Sequence, residues 1–334
     1  MTQERESQRK EAGPQPASQG YAKQVVKALP HILPKLPFML KKIRRMEPDE
    51  ERYVRPRRPY ELPEYRKGMK YCTSNEPYLR RVPWCNPHDH NIVAMAHELG
   101  SYELSEREYA EAAYWWLKEN MWYEFSDWYS AGETLRRGVG ACLHLANVYI
   151  ALCRSAGIKS RFKGFKMYMS PSMKSKFFAL EEEFADFWDS LGGVVPELEA
   201  EVFVDGTWMT AYTPQPSALT AGTNGWPITE FGESGMELYF DVVPGSVKRF
   251  EALSLGLGMN TKLVTMLMPA VTERLNVGMS RRQMRGRQNI EDAGGIEGYN
   301  LMARRKREQF SPEEIISKRV RERPANIIRK RPDN

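Results

Sequence analysis

The sequence predicts an α+β fold with long extended N- and C-terminal arms. Three observations carry this reading. Helix-period segments with recognisable caps fill residues 91 to 157. Strand-like segments joined by a hairpin signal follow between 161 and 212. The charge is also partitioned. Residues 1–70 hold 17 Lys/Arg against 9 Asp/Glu and residues 281–334 hold 15 against 8, while the middle, 71–280, holds 17 against 26. An acidic body between two basic arms gives the expected domains: a Pro-rich arm at 1–77, a body at 78–280 and a second arm at 281–334.

In chain order, residues 1–20 are polar and carry little to bury, as in a disordered leader. Residues 21–46 are densely apolar, from Val25 to Ile43, and punctuated by lysine and arginine. Pro30, Pro34 and Pro37 break any single helix there. This stretch suits packing on the body, docking on a protein partner, or lying on a membrane surface. Seven prolines between 48 and 87 predict an extended wrap without regular elements. Asn91 to Leu99 reads as a short helix with Asp89 as its N-cap. Ser105 and Glu108 form a capping box opening a helix to Met121, with Tyr109, Ala113, Trp116 and Leu117 on its apolar face. Ser130 and Glu133 repeat the signal before one turn ending near Arg137, after which Gly138 and Gly140 break the chain. An apolar helix then runs from Cys142 to Gly157, which suits the C′ position. Strands are expected at Arg161 to Tyr168, Glu199 to Val204 and Thr207 to Tyr212, the last two joined by Asp205-Gly206. Further helices are expected at 173–190, 245–270 and Ser311 to Arg323.

Composition bounds the rest. At 334 residues, with 41% hydrophobic and 28% charged residues, the chain can bury a core without staples. Four cysteines are too few for a disulfide scaffold, no apolar run reaches 18 residues, and the polar N-terminal stretch lacks a secretory core. The expected location is cytoplasmic.

Gly138-Val139-Gly140-Ala141-Cys142 stands directly before the apolar helix. A cysteine at a helix N-terminus sees unsatisfied N–H groups and the positive dipole end, which favour a nucleophilic thiolate. The glycines let backbone N–H groups approach an oxyanion.

The stretch from Ser130 to Phe162 resembles the core of the transglutaminase-like superfamily. There a helix opens with a cysteine and closes with the pattern matched by Arg154, Gly157, Ile158 and Arg161. The segment Glu201 to Trp208 resembles that family's second signature, a hairpin. The resemblance covers about residues 78–250. It implies a papain-like core in which the Cys142 helix packs on an antiparallel sheet. It also implies a cysteine–histidine–aspartate triad for acyl transfer, with thioester formation at an amide carbonyl. The family histidine position, four residues before Glu201, holds Glu197. The aspartate position, four residues after Trp208, holds Tyr212. The chain's histidines, at 31, 88, 90, 97 and 144, all precede the strands. The candidate site is therefore Cys142 as nucleophile, Glu197 and Tyr212 at the substituted positions, and Trp208 supporting the cleft.

Other residues carry weaker signals. Cys72, Cys85, His88, Asp89 and His90 include proper zinc ligands, but their spacing fits no standard finger, so neither metal nor cofactor is expected. His144, two residues past Cys142, points to a different helix face and reads as a surface or supporting residue. The clusters Arg304 to Arg307 and Arg329 to Arg331 suit an acidic protein surface or phosphates.

The expected function is a transglutaminase-like protein that has lost its triad. It acts as a scaffold or accessory subunit that engages protein partners, of acidic surface, through residues 21–70 and 281–334. The alternatives are a cysteine-dependent amide hydrolase or acyltransferase using Cys142 with a non-standard base, and a nucleic-acid-associated accessory protein. Peripheral membrane contact ranks behind these.

Overall fold

The computed structural model describes residues 52–168, 194–223, 226–254 and 269–308. The leader, the 21–46 stretch and the expected helices at 173–190 and Ser311 to Arg323 lie outside these residues, as does the Arg329 to Arg331 cluster.

The helical half assembles as its caps dictate. The Asp89 carboxylate accepts the Asn91 N–H at 3.0 Å and starts α1 (His90–Glu98). Both halves of the Ser105/Glu108 box form at the start of α2 (Glu106–Asn120). At α3 (Ala131–Arg137), Ser130 accepts the Glu133 N–H. The reciprocal half is missing, because the Glu133 carboxylate turns to Arg136 and Arg137 at 2.6–2.7 Å. Gly138, at φ 73°, ends α3. Between these helices the two-residue strands β1 (Trp122–Tyr123) and β2 (Val139–Gly140) pair in parallel. The cysteine helix α4 (Cys142–Ser155) follows and ends on Gly157 at φ 87°.

The sheet is antiparallel. β3 (Ser160–Tyr168), β4 (Val194–Val204) and β5 (Thr207–Ala211) run in the order β5-β4-β3. Asp205 and Gly206, at φ 51° and 73°, make the tight turn that their sequence signals. One sheet face carries Phe162, Leu198, Ala200, Val202 and Ala211 into the same core as Leu145, Tyr149 and Leu152 of α4. The other face carries a charged ladder. Lys163 and Glu199 are direct register partners and pair at 2.6 Å; Arg161 and Glu201 pair likewise at 2.7 Å.

Three short elements follow: α5 (Ser217–Ala221), α6 (Gly235–Tyr239) and β6 (Asp241–Val242), the last on β3. The helix expected over 245–270 is corrected within its described part. Lys248–Phe250 is β7, an antiparallel partner of β3, because Phe250 stacks on Phe162 with ring centroids 5.5 Å apart. Residues 255–268 of that expected helix lie outside the described residues; α7 (Pro269–Asp292) and α8 (Ile296–Glu308) follow. The expected boundary at 281 therefore falls inside α7. Gly222 at the end of α5 lies against the Arg282 carbonyl, and Gly286 lies against that of Ala218, so the two helices touch backbone to backbone.

The described part of the N-terminal wrap has no regular element. It lies on the chain's own body. Arg55 grips Glu124 through two bonds of 2.6 and 2.8 Å, Tyr60 donates to the Leu135 carbonyl, and Tyr65 stacks on His90 at 4.0 Å. Farther along, Tyr78 and Arg80 both bond the Glu251 carboxylate.

Arg154 locks these pieces together. It is fully buried, and its guanidinium donates to the carbonyls of Arg80, Ser160 and Glu251. Wrap, helix end, β3 and β7 thus share one cation. Replacing it with methionine leaves three carbonyls without their donor, and each buried orphan costs about 1–3 kcal/mol. Arg154→Met is expected to lose roughly 3 kcal/mol or more in urea unfolding. It should also speed amide exchange in 78–82 and 248–252 ahead of α2; equal exchange in all three regions would refute the locking role.

Candidate functional site

Cys142 opens α4 with the Ala141 backbone extended as N-cap. Its surroundings come from three elements. From β4, Glu197 faces the sulfur, and the thiol donates a hydrogen bond to its carboxylate. From β1, the Tyr123 hydroxyl lies beside the sulfur and the Cys142 backbone N–H. From the end of β5, Tyr212 brings its phenol within electrostatic range of both Cys142 and Glu197. Three of the four candidates, Cys142, Glu197 and Tyr212, therefore share one site. The four-residue offsets from Glu201 and Trp208 located them.

The fourth does not belong there. Trp208 is a register partner of Phe203 beside the hairpin turn, six residues along β4 from Glu197. Its ring lies under the Arg161 guanidinium at 3.8 Å and against Tyr78. It anchors the wrap and the charged ladder rather than the cleft, because it stands on the same sheet face but at the opposite end of the β4–β5 pair.

The electrostatics reverse the expectation for the thiol. The helix N-terminus acts as anticipated, since the Leu143 N–H at the sulfur lowers the pKa. Burial and the neighbouring Glu197 charge outweigh it and push the Cys142 pKa well above the ordinary thiol range. Burial likewise raises Glu197 to about 7, against the pull of the Leu198 N–H and the thiol bond. Both side chains are half-buried. An imidazolium would stabilise a thiolate; a carboxylate repels one. The pair is two acids in contact, and its second proton leaves with difficulty.

His144 is corrected in place but not in kind. It is 2% exposed rather than on the helix surface. Its Nδ1 accepts the Ala141 N–H at 3.2 Å, and its Nε2 meets the Asp127 carbonyl at 3.0 Å. A ring that accepts at one nitrogen and donates at the other is neutral, and burial lowers its pKa to about 4. It caps the cysteine helix from N3, where a glutamate would otherwise serve.

Two features escaped sequence reasoning. Tyr123 sits in a two-residue strand too short to show periodicity. Behind Glu197 lies a polar cluster with no motif. Glu199 is fully buried and held by Lys163 and by Ser234 at 2.8 Å. Lys118 of α2 lies over the Tyr212 ring and donates to Thr229 at 3.1 Å; burial lowers its pKa to about 7. The Tyr212 hydroxyl is buried among these groups without a hydrogen-bond partner. Among the described residues, no three His, Cys, Asp or Glu side chains converge to hold a metal ion. His88 and His90 instead pack on Tyr71 and Tyr65. No described helix is long and apolar enough to cross a membrane.

Comparison with known proteins agrees with this geometry. A solved structure from Cytophaga hutchinsonii, provisionally named a cysteine protease, aligns at 15% identity and a TM-score of 0.32. The alignment covers 57% of each chain, so this chain spans little more than half of that protein, and the likeness carries no argument at such a score. Comparison with curated proteins gives no match. A family model, the transglutaminase-like superfamily, matches residues 93–212. That span runs from α1 through the Cys142 helix and the β3–β4–β5 sheet to Tyr212, and it is a transglutaminase-like domain within the chain.

Proposed function

We propose that this is a transglutaminase-like domain that has exchanged acyl-transfer chemistry for binding, and that it serves as a scaffold or accessory subunit. The carrying observation is that the Cys142 thiol faces a carboxylate where an active member needs an imidazole. A second supports it. The Tyr123 hydroxyl lies beside the Cys142 backbone N–H, a natural oxyanion donor at a helix start, and so crowds the place an oxyanion would take.

A rival reading has its own support. A buried carboxyl group with a pKa of about 7, bonded to a thiol, has the acidity of a general base. On that reading Glu197 takes the thiol proton as sulfur attacks an acyl carbon. One substitution separates the two. At pH 7.5, iodoacetamide should label wild-type Cys142 more slowly than the partly exposed Cys72. Glu197→Gln should then raise the Cys142 rate by about tenfold, since it removes a repelling charge worth roughly one pKa unit. A slower rate in the glutamine variant would establish Glu197 as base and overturn the binding reading.

The same carboxyl leaves a thermodynamic signature. Its folded pKa exceeds its unfolded value, so the stability it contributes is complete below about pH 4.5 and is lost as pH rises towards 7. Wild-type stability should decline across that window, and Glu197→Gln should flatten the decline. Part of the slope should survive, because burial also raises Glu199. An unchanged slope in the variant would contradict the placement of Glu197.

The partner is proposed to be a protein of acidic surface, met by the basic stretches 21–70 and 281–334. In their described parts, Arg57, Arg66, Lys67, Arg285, Arg305 and Lys306 face outward. Co-purification that resists nuclease and weakens with salt is the expected result. Association abolished by nuclease would instead indicate a nucleic-acid partner.

A further inference from the structure

β1 and the residues after it form a short strand with two unlike edges. The inner edge is paired: the Trp122 N–H donates to the Gly138 carbonyl, and the Glu124 N–H to that of Gly140. The outer edge exposes the N–H and C=O of Tyr123 and Phe125, the alternate groups an extended chain would pair with. Here α7 takes all four. Gln283 accepts the Tyr123 N–H at 2.7 Å and donates to the Tyr123 carbonyl at 3.1 Å. Asn276 does the same at Phe125, at 2.7 and 2.9 Å.

The helix is built for this edge. Its buried stripe reads Asn276, Met279, Gln283 and Gly286, at spacings of three, four and three residues. Two amides on a buried face are costly unless both their donors and acceptors are matched, and here they are. Gly286 brings α7 against α5 backbone to backbone, which sets its distance from the strand. The sealed edge lies at the site, since Tyr123 is the register partner of Gly140, two residues before Cys142, and its ring reaches the cysteine.

We propose that α7 is a resident seal on a peptide-docking edge: Asn276 and Gln283 stand in for the backbone of an extended peptide. Such a peptide lies beside Cys142 only when the helix is displaced. The inference concerns which chain may occupy the cleft, so it holds whether or not Cys142 is a nucleophile.

The test uses the full-length protein and two reagents at pH 9: iodoacetamide, and a bromoacetyl hexapeptide of alternating valine and serine. Labelling is read at each cysteine by mass spectrometry. Wild-type Cys142 should take iodoacetamide and exclude the peptide. In Asn276→Ala/Gln283→Ala, peptide labelling of Cys142 should rise at least tenfold relative to iodoacetamide, with Cys72 unchanged. The control is Asn300→Ala, which breaks an identical clamp on Ile228 in the separate cluster around Tyr299; it should leave the Cys142 ratio unaltered. No rise in the double variant, or an equal rise in the control, overturns the proposal. Should the double variant unfold, seen as labelling of buried Cys85 and Cys153, Gln283→Met keeps the helix volume and is read by the same two criteria. The iodoacetamide rate alone reports thiol character, so failure of the binding reading is distinguishable from failure of the seal.

Discussion

The structure depends on a buried guanidinium. Arg154 sits at the end of the cysteine helix and donates to carbonyls from the wrap, from β3 and from β7. A charge with no water around it is tolerable only when its donors are matched, so the three segments must meet there together or not at all. The helix that presents Cys142 is therefore oriented from its far end. Glu251 completes the arrangement, since its carbonyl takes Arg154 while its carboxylate takes Tyr78 and Arg80. The family's Arg-x-x-Gly-Ile pattern acquires a physical meaning here: the arginine is the lock, and Gly157, in a left-handed conformation, turns the chain back so that Ser160 can reach it.

At the opposite end of the helix, two acids occupy the space of an acid and a base. Helix dipole and backbone N–H groups still favour the thiolate, but burial and a carboxylate neighbour oppose them and prevail. The scaffold that would hold a nucleophile is intact, and the charge that would activate it is reversed. The surrounding polar groups share this character. Lys118 and Glu199 are both buried beside Tyr212, and each has its pKa moved by burial towards neutrality.

Much of the site was legible from spacing. Glu197 and Tyr212 were found by counting from the hairpin signature, because strand alternation and register make offsets along β4 and β5 reproducible in space. The caps at Asp89 and Ser105 were legible because capping is local. Ser130 shows the limit: its box half-forms, since Arg136 and Arg137 compete for Glu133 within the same turn. Trp208 stands apart from the site because a motif position does not say how far along the hairpin the cleft lies, and six residues of β4 separate its partner Phe203 from Glu197. The strand β7 read as helix because its only reason to be extended is Phe162, 88 residues earlier. α7 was cut at 281 for a related reason: a stripe of asparagine and glutamine resembles a solvated arm until the backbone it serves is in view.

The wrap has one more consequence, in the order of synthesis. Residues 52–87 leave the ribosome early, yet the groups that hold them come much later. Tyr53 and Arg55 wait for Glu124, and Tyr78 and Arg80 wait for Glu251, 173 and 171 residues downstream. Contacts of such separation close last and slowly. The proline-rich stretch must therefore remain extended and unpaired while the body is made, and its composition suits that interval, since proline forbids premature helix and removes strand donors. A segment translated before its partners is among the last to be placed.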